Sequence, residues 1–236
     1  MKNINQFITE YIVKKKLDKF IDSEYQYHPT SKEELTKNIQ ELINNKIYNF
    51  NYIDTSNIKD MSHLFYNESF KHINFDVSNW DVSNVEKMDN MFNGCELFDC
   101  DLSKWNVSNV VSMISMFFNC KNFTGKGLEN WNVSKVEASS FMFCSCENFD
   151  CDLSSWNVSN IKRMSSMFSC CKKFNGKSIE NWNVSNVIST RNMFYKCENL
   201  DCDLNNWNIS KIKDMGSMFY GCKSLKNKPS WYKGYY

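Results

Sequence analysis

From residue 80 onward the apolar positions fall into one cassette that recurs along the chain. In residues 105–120, WNVSNVVSMISMFFNC, Trp105 and Val107 are followed by Val110, Met113, Met116, Phe117 and Cys120, with polar residues between them. Upstream, Phe98, Cys100 and Leu102 alternate with Asp99 and Asp101. Alternation at a period of two predicts a short strand. A corner at Ser103-Lys104 leads to the Trp, and Ser108-Asn109 reads as a helix start, since both residue types cap well. The spacing of three and four beyond it predicts an apolar helical stripe about two turns long.

The cassette repeats with fixed steps. Trp falls at 80, 105, 131, 156, 182 and 207, giving steps of 25, 26, 25, 26 and 25. Phe92, Phe117, Phe143, Phe168, Phe194 and Phe219 keep the same steps, and a Cys follows each three residues later. The longer coils carry one extra residue and a Gly, as in FTGKGL and FNGKSI against FDCDL, which predicts a bulge that absorbs the insertion. The true unit is a pair of coils, 51 residues long. One coil cannot bury its own stripe, so successive coils must stack. The residue after the recurrent Cys alternates in sign, Glu96, Lys121, Glu147, Lys172, Glu198 and Lys223. At a spacing of about 4.8 Å each acid meets a base above or below, and slippage by one coil brings like charges together.

The expected fold is therefore a leucine-rich-repeat-like repeat solenoid, with short parallel strands and short helical turns in each coil and an α-helical N-terminal cap. The cap is assigned to residues 1–50. Ile4, Phe7, Ile8, Tyr11 and Ile12 have helical spacing, and Ser31 with Glu34 forms a capping box opening a helix that buries Leu35, Ile39, Leu42 and Ile43. The tandem repeat takes residues 51–225. Residues 226–236 form a C-terminal cap or tail, with Trp231 filling a last Trp position.

Composition narrows the function. The 28 Lys and Arg nearly balance 27 Asp and Glu, so no broad basic field points to nucleic acid. No run approaches the roughly 18 apolar residues of a membrane span, and the N-terminal stretch lacks the features of a signal peptide, which predicts a cytoplasmic location. The 11 Cys include no Cys-x-x-Cys, and free thiols are expected.

The pattern C-x-x-F-x-x-D-L-S-x-W-N-V-S-N-V-x-x-M-x-x-M-F resembles the bacterial surface protein 26-residue repeat, the BspA-like leucine-rich repeat. TSKEELTKNIQELI followed by IDTSNIKDMSHLF is similar to the opening of members of that family. The resemblance covers residues 30 to about 225 and implies a solenoid that, in many members, is displayed on the surface for adhesion or partner binding. Ser139 and Thr190 depart from it by replacing the first Met of the stripe.

Chemistry finds little foothold. Cys144, Cys146, Cys170 and Cys171 cluster, but their spacing does not match zinc-site logic, and no cofactor or metal is expected. The Asn-x-Ser sequons at Asn106, Asn132, Asn157, Asn183 and Asn208 arise from the repeat itself, and their Asn is expected to bond backbone at a corner. No convergent acid, base and nucleophile are visible, so no enzyme is expected. Binding remains. The position after the closing Phe reads Asn93, Phe118, Cys144, Ser169, Tyr195 and Tyr220, which predicts an outward column. Phe118, Tyr195 and Tyr220, with Phe141, are the candidate partner-binding residues, weighed against ordinary packing at a coil corner. The expected function is non-catalytic protein recognition over a face about 30–35 Å long. The alternatives are a surface adhesin exported by an unseen route and a structural protein that self-associates through an incompletely capped end.

Overall fold

The computed structural model describes residues 25–234. Ile4, Phe7, Ile8, Tyr11 and Ile12, read as helical in spacing, lie outside them. Among the described residues there is one α-helix, α1 (Lys32–Asn44), and three single-turn 3-10 segments, Glu68–Phe70, Leu128–Asn130 and Lys177–Ile179. The described residues hold no strands, only isolated parallel bridges between residues about 25 apart, running from Asp60 through Lys87, Ser112, Ala138, Arg163 and Ser189 to Asp214. The expected strand-and-helix solenoid with an α-helical cap is therefore corrected: the coils are built almost wholly of turns. The N-terminal region is not all helix either, since Tyr27 bridges to Ile53 and Asn49 to Asp76 on either side of α1.

The reason lies in the apolar spacing. The stripe Val107, Val110, Met113, Met116 runs in steps of three, and so does Phe117, Cys120, Phe123. Several inward residues close a tight turn on the residue three before them, as in Val110 N–H to Val107 O (2.9 Å), Cys120 to Phe117 (3.0 Å) and Phe123 to Cys120 (3.1 Å), while Met113 donates to Ala138 O of the next coil (3.0 Å). Between these, alternate N–H groups leave the coil and bond the next one. Phe92 donates to Met116 O, Phe117 to Met142 O and Phe143 to Met167 O, all at 2.8–2.9 Å. From Asn90 on, the turn segment of each coil holds two left-handed residues four apart, for instance Ser115 (φ 54°) and Asn119 (φ 57°). An α-helix requires uniform right-handed dihedrals and spends its N–H groups internally, so it cannot form here.

The alternation Phe98, Cys100, Leu102 does put three residues inside. No ladder of paired N–H and C=O groups accompanies it, so it remains extended chain. The extra residue of the longer coils is taken up by a 3-10 turn rather than by a bulge. Gly127 precedes that turn at φ 92°, and a Cβ there would meet the Ser103 nitrogen at 2.2 Å. Gly176 plays the same part at φ 80°.

Side chains stack in columns through the length of the array. Phe92, Phe117, Phe143, Phe168, Phe194 and Phe219 lie 5.3–5.9 Å apart and nearly parallel. Trp105, Trp131, Trp156 and Trp182 stack at 6.2–6.4 Å within 4° of parallel. Each indole N–H donates to a carbonyl of the preceding coil, Trp156 to Leu128 (2.8 Å) and Trp182 to Leu153 (3.0 Å) among them. Trp231 continues the column by donating to Leu204 (2.9 Å). The Cys column does likewise: Cys120, Cys146, Cys171 and Cys197 donate S–H to Phe92, Phe117, Phe143 and Phe168 at 2.8–3.0 Å. The thiols thus do more than fill space, because each closes a hydrogen bond between coils.

At the first-coil end α1 packs through Leu35, Ile39 and Leu42. The sign alternation appears as ion pairs that join coils two by two, Lys121 to Glu96 (3.0 Å), Lys172 to Glu147 (2.6 Å) and Lys223 to Glu198 (3.0 Å). Exposed pairs of this kind contribute about 0–1 kcal/mol each, so their main effect is on register.

Candidate functional site: the exposed turn face

The turn between the paired Met residues and the recurrent Cys has one side in the core and one side out. On the outer side two columns run along the stack. The first is the position after the closing Phe, where Tyr66 precedes Asn93, Phe118, Cys144, Ser169, Tyr195 and Tyr220. The second is the left-handed position three residues earlier, held by His63, Asn90, Ser115, Phe141, Ser166, Asn192 and Ser217, all at φ 52–61°.

The four candidate aromatics occupy these columns. Tyr220 is 59 % exposed and Phe141 40 %. Phe118 and Tyr195 are half-buried. They form two pairs rather than one ladder. Tyr195 and Tyr220 stack with centroids 5.2 Å apart and planes 12° from parallel, while Phe118 meets Phe141 at 6.5 Å in a tilted arrangement. Lys196 Nζ lies 5.3 Å from the Tyr195 ring centroid. Between the pairs the column is small and buried, Cys144 and Ser169. A third pair joins Tyr66, 55 % exposed, to His63 at 5.7 Å. Sequence reasoning missed this pair because the first coil departs from the Trp-based cassette. The register MSHLFYN, aligned on Phe65, would have found it.

Phe141 is the unusual member. Small or polar residues tolerate the left-handed region, and Asn is enriched there, whereas a bulky ring is an outlier that costs of order 1–3 kcal/mol. Every equivalent position holds His, Asn or Ser.

The remaining candidate chemistry resolves into structure. All 11 Cys are free. Cys120, Cys146, Cys171 and Cys197 have thiols held well above their ordinary 9.0, chiefly by burial. Among the described residues no three His, Cys, Asp or Glu side chains converge on a point that could hold a metal ion. The sequon residues Asn106, Asn132, Asn157, Asn183 and Asn208 accept the N–H of the Ser two residues on at 3.1–3.2 Å, a corner turn. Two shallow depressions of about 440 and 460 Å³ lie beside the Asp-Cys-Asp stretches at 150–152 and 99–101. Cys151 in the first has its thiol pushed up to about 12 by burial and then by the Glu129 and Asp152 carboxylates, the reverse of an activated nucleophile. No helix among the described residues is long and apolar enough to cross a membrane.

The family model described as "Mycoplasma protein of unknown function, DUF285" matches residues 31–127 and again 111–232. No curated protein matches the chain. No solved structure matches it either.

Proposed function

We propose, for a chain that belongs to the DUF285 family of Mycoplasma proteins of unknown function, that it is a non-catalytic module recognising a protein partner through its exposed turn face. Phe141 carries this reading. A bulky ring at a left-handed position adds backbone strain, and at 40 % exposure it returns only part of its burial energy, so packing alone does not account for it. Strained residues cluster at binding sites, and aromatic rings are the usual anchors of protein interfaces. The Tyr195–Tyr220 stack supplies a second anchor on the same face, and the likeness of the repeat to BspA-like sequences supports the same role. The stacked core holds the rings in place before any partner arrives, which lowers the ordering cost of binding.

The test compares the unchanged chain with a variant carrying Ser at Phe118, Tyr195 and Tyr220. Proteins retained from source-cell lysate are quantified by mass spectrometry, the binding of any retained partner is then measured with purified components, and the thermal midpoint of both chains is recorded. A partner bound by the first chain and lost by the second, with the midpoint little changed, is expected. Equal binding refutes the proposal, and a large fall in midpoint shows that the rings are core.

A further inference from the structure

Two thiols lie on the turn face, in adjacent coils. Cys144 holds the position after the closing Phe, where the other coils carry Asn93, Phe118, Ser169, Tyr195 and Tyr220. Cys170 holds the next position along, shared with Gly94, Asn119, Ser145, Lys196 and Gly221, and it is left-handed like them (φ 61°). Neither column uses sulfur in any other coil. Cys120, Cys146, Cys171 and Cys197 hold the stack by donating to carbonyls of the preceding coil. Cys144 and Cys170 instead face serine hydroxyls, so the fold does not account for them.

Their geometry suits a covalent bridge. Ser145 N–H bonds Ser169 O at 2.7 Å, which lays the Cys144–Ser145 peptide over the Ser169–Cys170 peptide. With coils about 4.8 Å apart and a Cα step of about 3.8 Å, the Cys144 and Cys170 Cα atoms lie about 6 Å apart on the diagonal. A disulfide spans Cα separations of about 4.4–6.8 Å. The side chains gather at one spot. Cys144 Sγ lies 3.9 Å from Ser145 Oγ, and Ser169 Oγ lies 3.8 Å from Cys170 Sγ while also hydrogen-bonding the Cys144 thiol. One hydroxyl thus touches both sulfurs. Half-buried Cys170 is open to a small oxidant, whereas Cys144 is 8 % exposed and its thiol is held above its ordinary 9.0, first by burial.

We propose that Cys144 and Cys170 are an oxidisable dithiol, which hydrogen peroxide converts into a disulfide that ties the two coils together on the turn face. The Cys170 sulfur attacks one peroxide oxygen, the O–O bond breaks, and the thiol proton leaves with the released hydroxide as water, giving a sulfenic acid. The Cys144 sulfur then attacks the Cys170 sulfur, the S–O bond breaks, and a second water leaves with the Cys144 proton. The two thiols lose two electrons and the peroxide takes them up. A thiol reductant reverses the step by exchange. The interior thiols do not follow this route, because burial bars peroxide from them. The site lies between the Phe118–Phe141 and Tyr195–Tyr220 pairs, and it stands whether or not that face binds a protein.

Hydrogen peroxide added to the folded full chain tests this by mass spectrometry, with free thiols alkylated before tryptic digestion. The unchanged chain is expected to give one cross-link between residues 136–162 and 164–172, lighter by two hydrogens than the separate peptides and assigned by fragmentation to Cys144 and Cys170. Dithiothreitol is expected to remove it. Cys144→Ser is expected to stop at the sulfenic acid, trapped by dimedone on Cys170, and Cys170→Ser to give neither product. Thermal midpoints close to the parent's show that both variants fold, and the mapping in the unchanged chain decides the matter without them. Oxidation of Cys170 to the sulfinic acid in the unchanged chain, with no cross-link, overturns the proposal. So does a cross-link at any other pair. No change at a peroxide excess that oxidises a free cysteine peptide overturns it too.

Discussion

Thr190 occupies the first Met position of its coil, where Met88, Met113 and Met164 are fully buried. It too is fully buried, and its Oγ1 is the one buried side-chain polar atom among the described residues without a partner. Its counterpart Ser139 is better placed, with its hydroxyl 3.4 Å from Arg163 O. A buried hydroxyl with no partner costs about 1–3 kcal/mol, and Val offers nearly the same shape without it. The backbone bond from Thr190 N–H to Asp214 O (2.8 Å) is untouched by the change. Thr190→Val is therefore expected to stabilise the chain by about 1–3 kcal/mol, a rise of about 2–12 °C in thermal midpoint at this length. Ser139→Ala, which removes a hydroxyl that has an acceptor, is expected to be neutral or to cost up to about 1.5 kcal/mol. Scanning calorimetry of both variants, backed by guanidinium midpoints, makes the comparison. A neutral or destabilising Thr190→Val would refute the reasoning, since the hydroxyl would then have a partner in solution.

The other expectations follow from the columns and the corners. Trp156→Phe loses the indole bond to Leu128 O and part of a stacked ring, and should cost about 1–3 kcal/mol by denaturant titration; no loss would show that the bond contributes nothing. In thiol labelling of the folded chain, half-buried Cys170 should react before Cys120, Cys146, Cys171 and Cys197, which should react only on unfolding. Asp101 is held down to about 2 from its ordinary 3.8, first by the Ser103 N–H and hydroxyl and then by Lys126. Its folded value is the lower one, so its stabilisation is complete above 3.8 and disappears as pH falls through about 2. Asp101→Asn should thus narrow the stability difference between pH 7 and pH 2, and an unchanged difference would count against it. Phe141→Asn relieves about 1 kcal/mol or more of strain and forfeits about 0.5–1.5 kcal/mol of ring contact, so its midpoint should stay within about 4 °C of the parent while partner binding falls.

The stack was legible in the sequence and its local geometry was not. Fixed steps between Trp, Phe and Cys place like residues one above another. They do so whether a coil is made of strands, helix or turns. The choice among these rested on the stripe Val107, Val110, Met113, Met116. A run of threes is compatible with a helix over two turns, but it matches successive three-residue turns better, and the resumption at Phe117, Cys120, Phe123 marks the break between two such runs. The residues that decide the matter, Ser115 and Asn119, are polar, ordinary in a helix, and carry their left-handed φ without a sequence signal as plain as Gly. Phe141 hides the same geometry behind an aromatic ring. The four aromatic candidates are placed on the outer side, but their division into two pairs depends on which coil each turn faces, and that follows only from three-dimensional register.

A stack of this kind separates two tasks along each coil. The inward residues are tied to their neighbours above and below: a Trp must reach a carbonyl 2.8–3.2 Å away in the preceding coil, and a Cys must do the same, so neither can vary without loss to two coils at once. Most outward positions have no such tie, Ser169, whose hydroxyl donates to Tyr195 O (3.5 Å), being an exception. His, Asn, Ser and Phe share the left-handed column, and Tyr, Asn, Phe, Cys and Ser share the one beside it. Information specific to this chain can therefore accumulate only on the outside and at the ends. The strained Phe141 and the Tyr195–Tyr220 stack are the places on the outer side where this chain departs most from the small and polar residues of its own repeat.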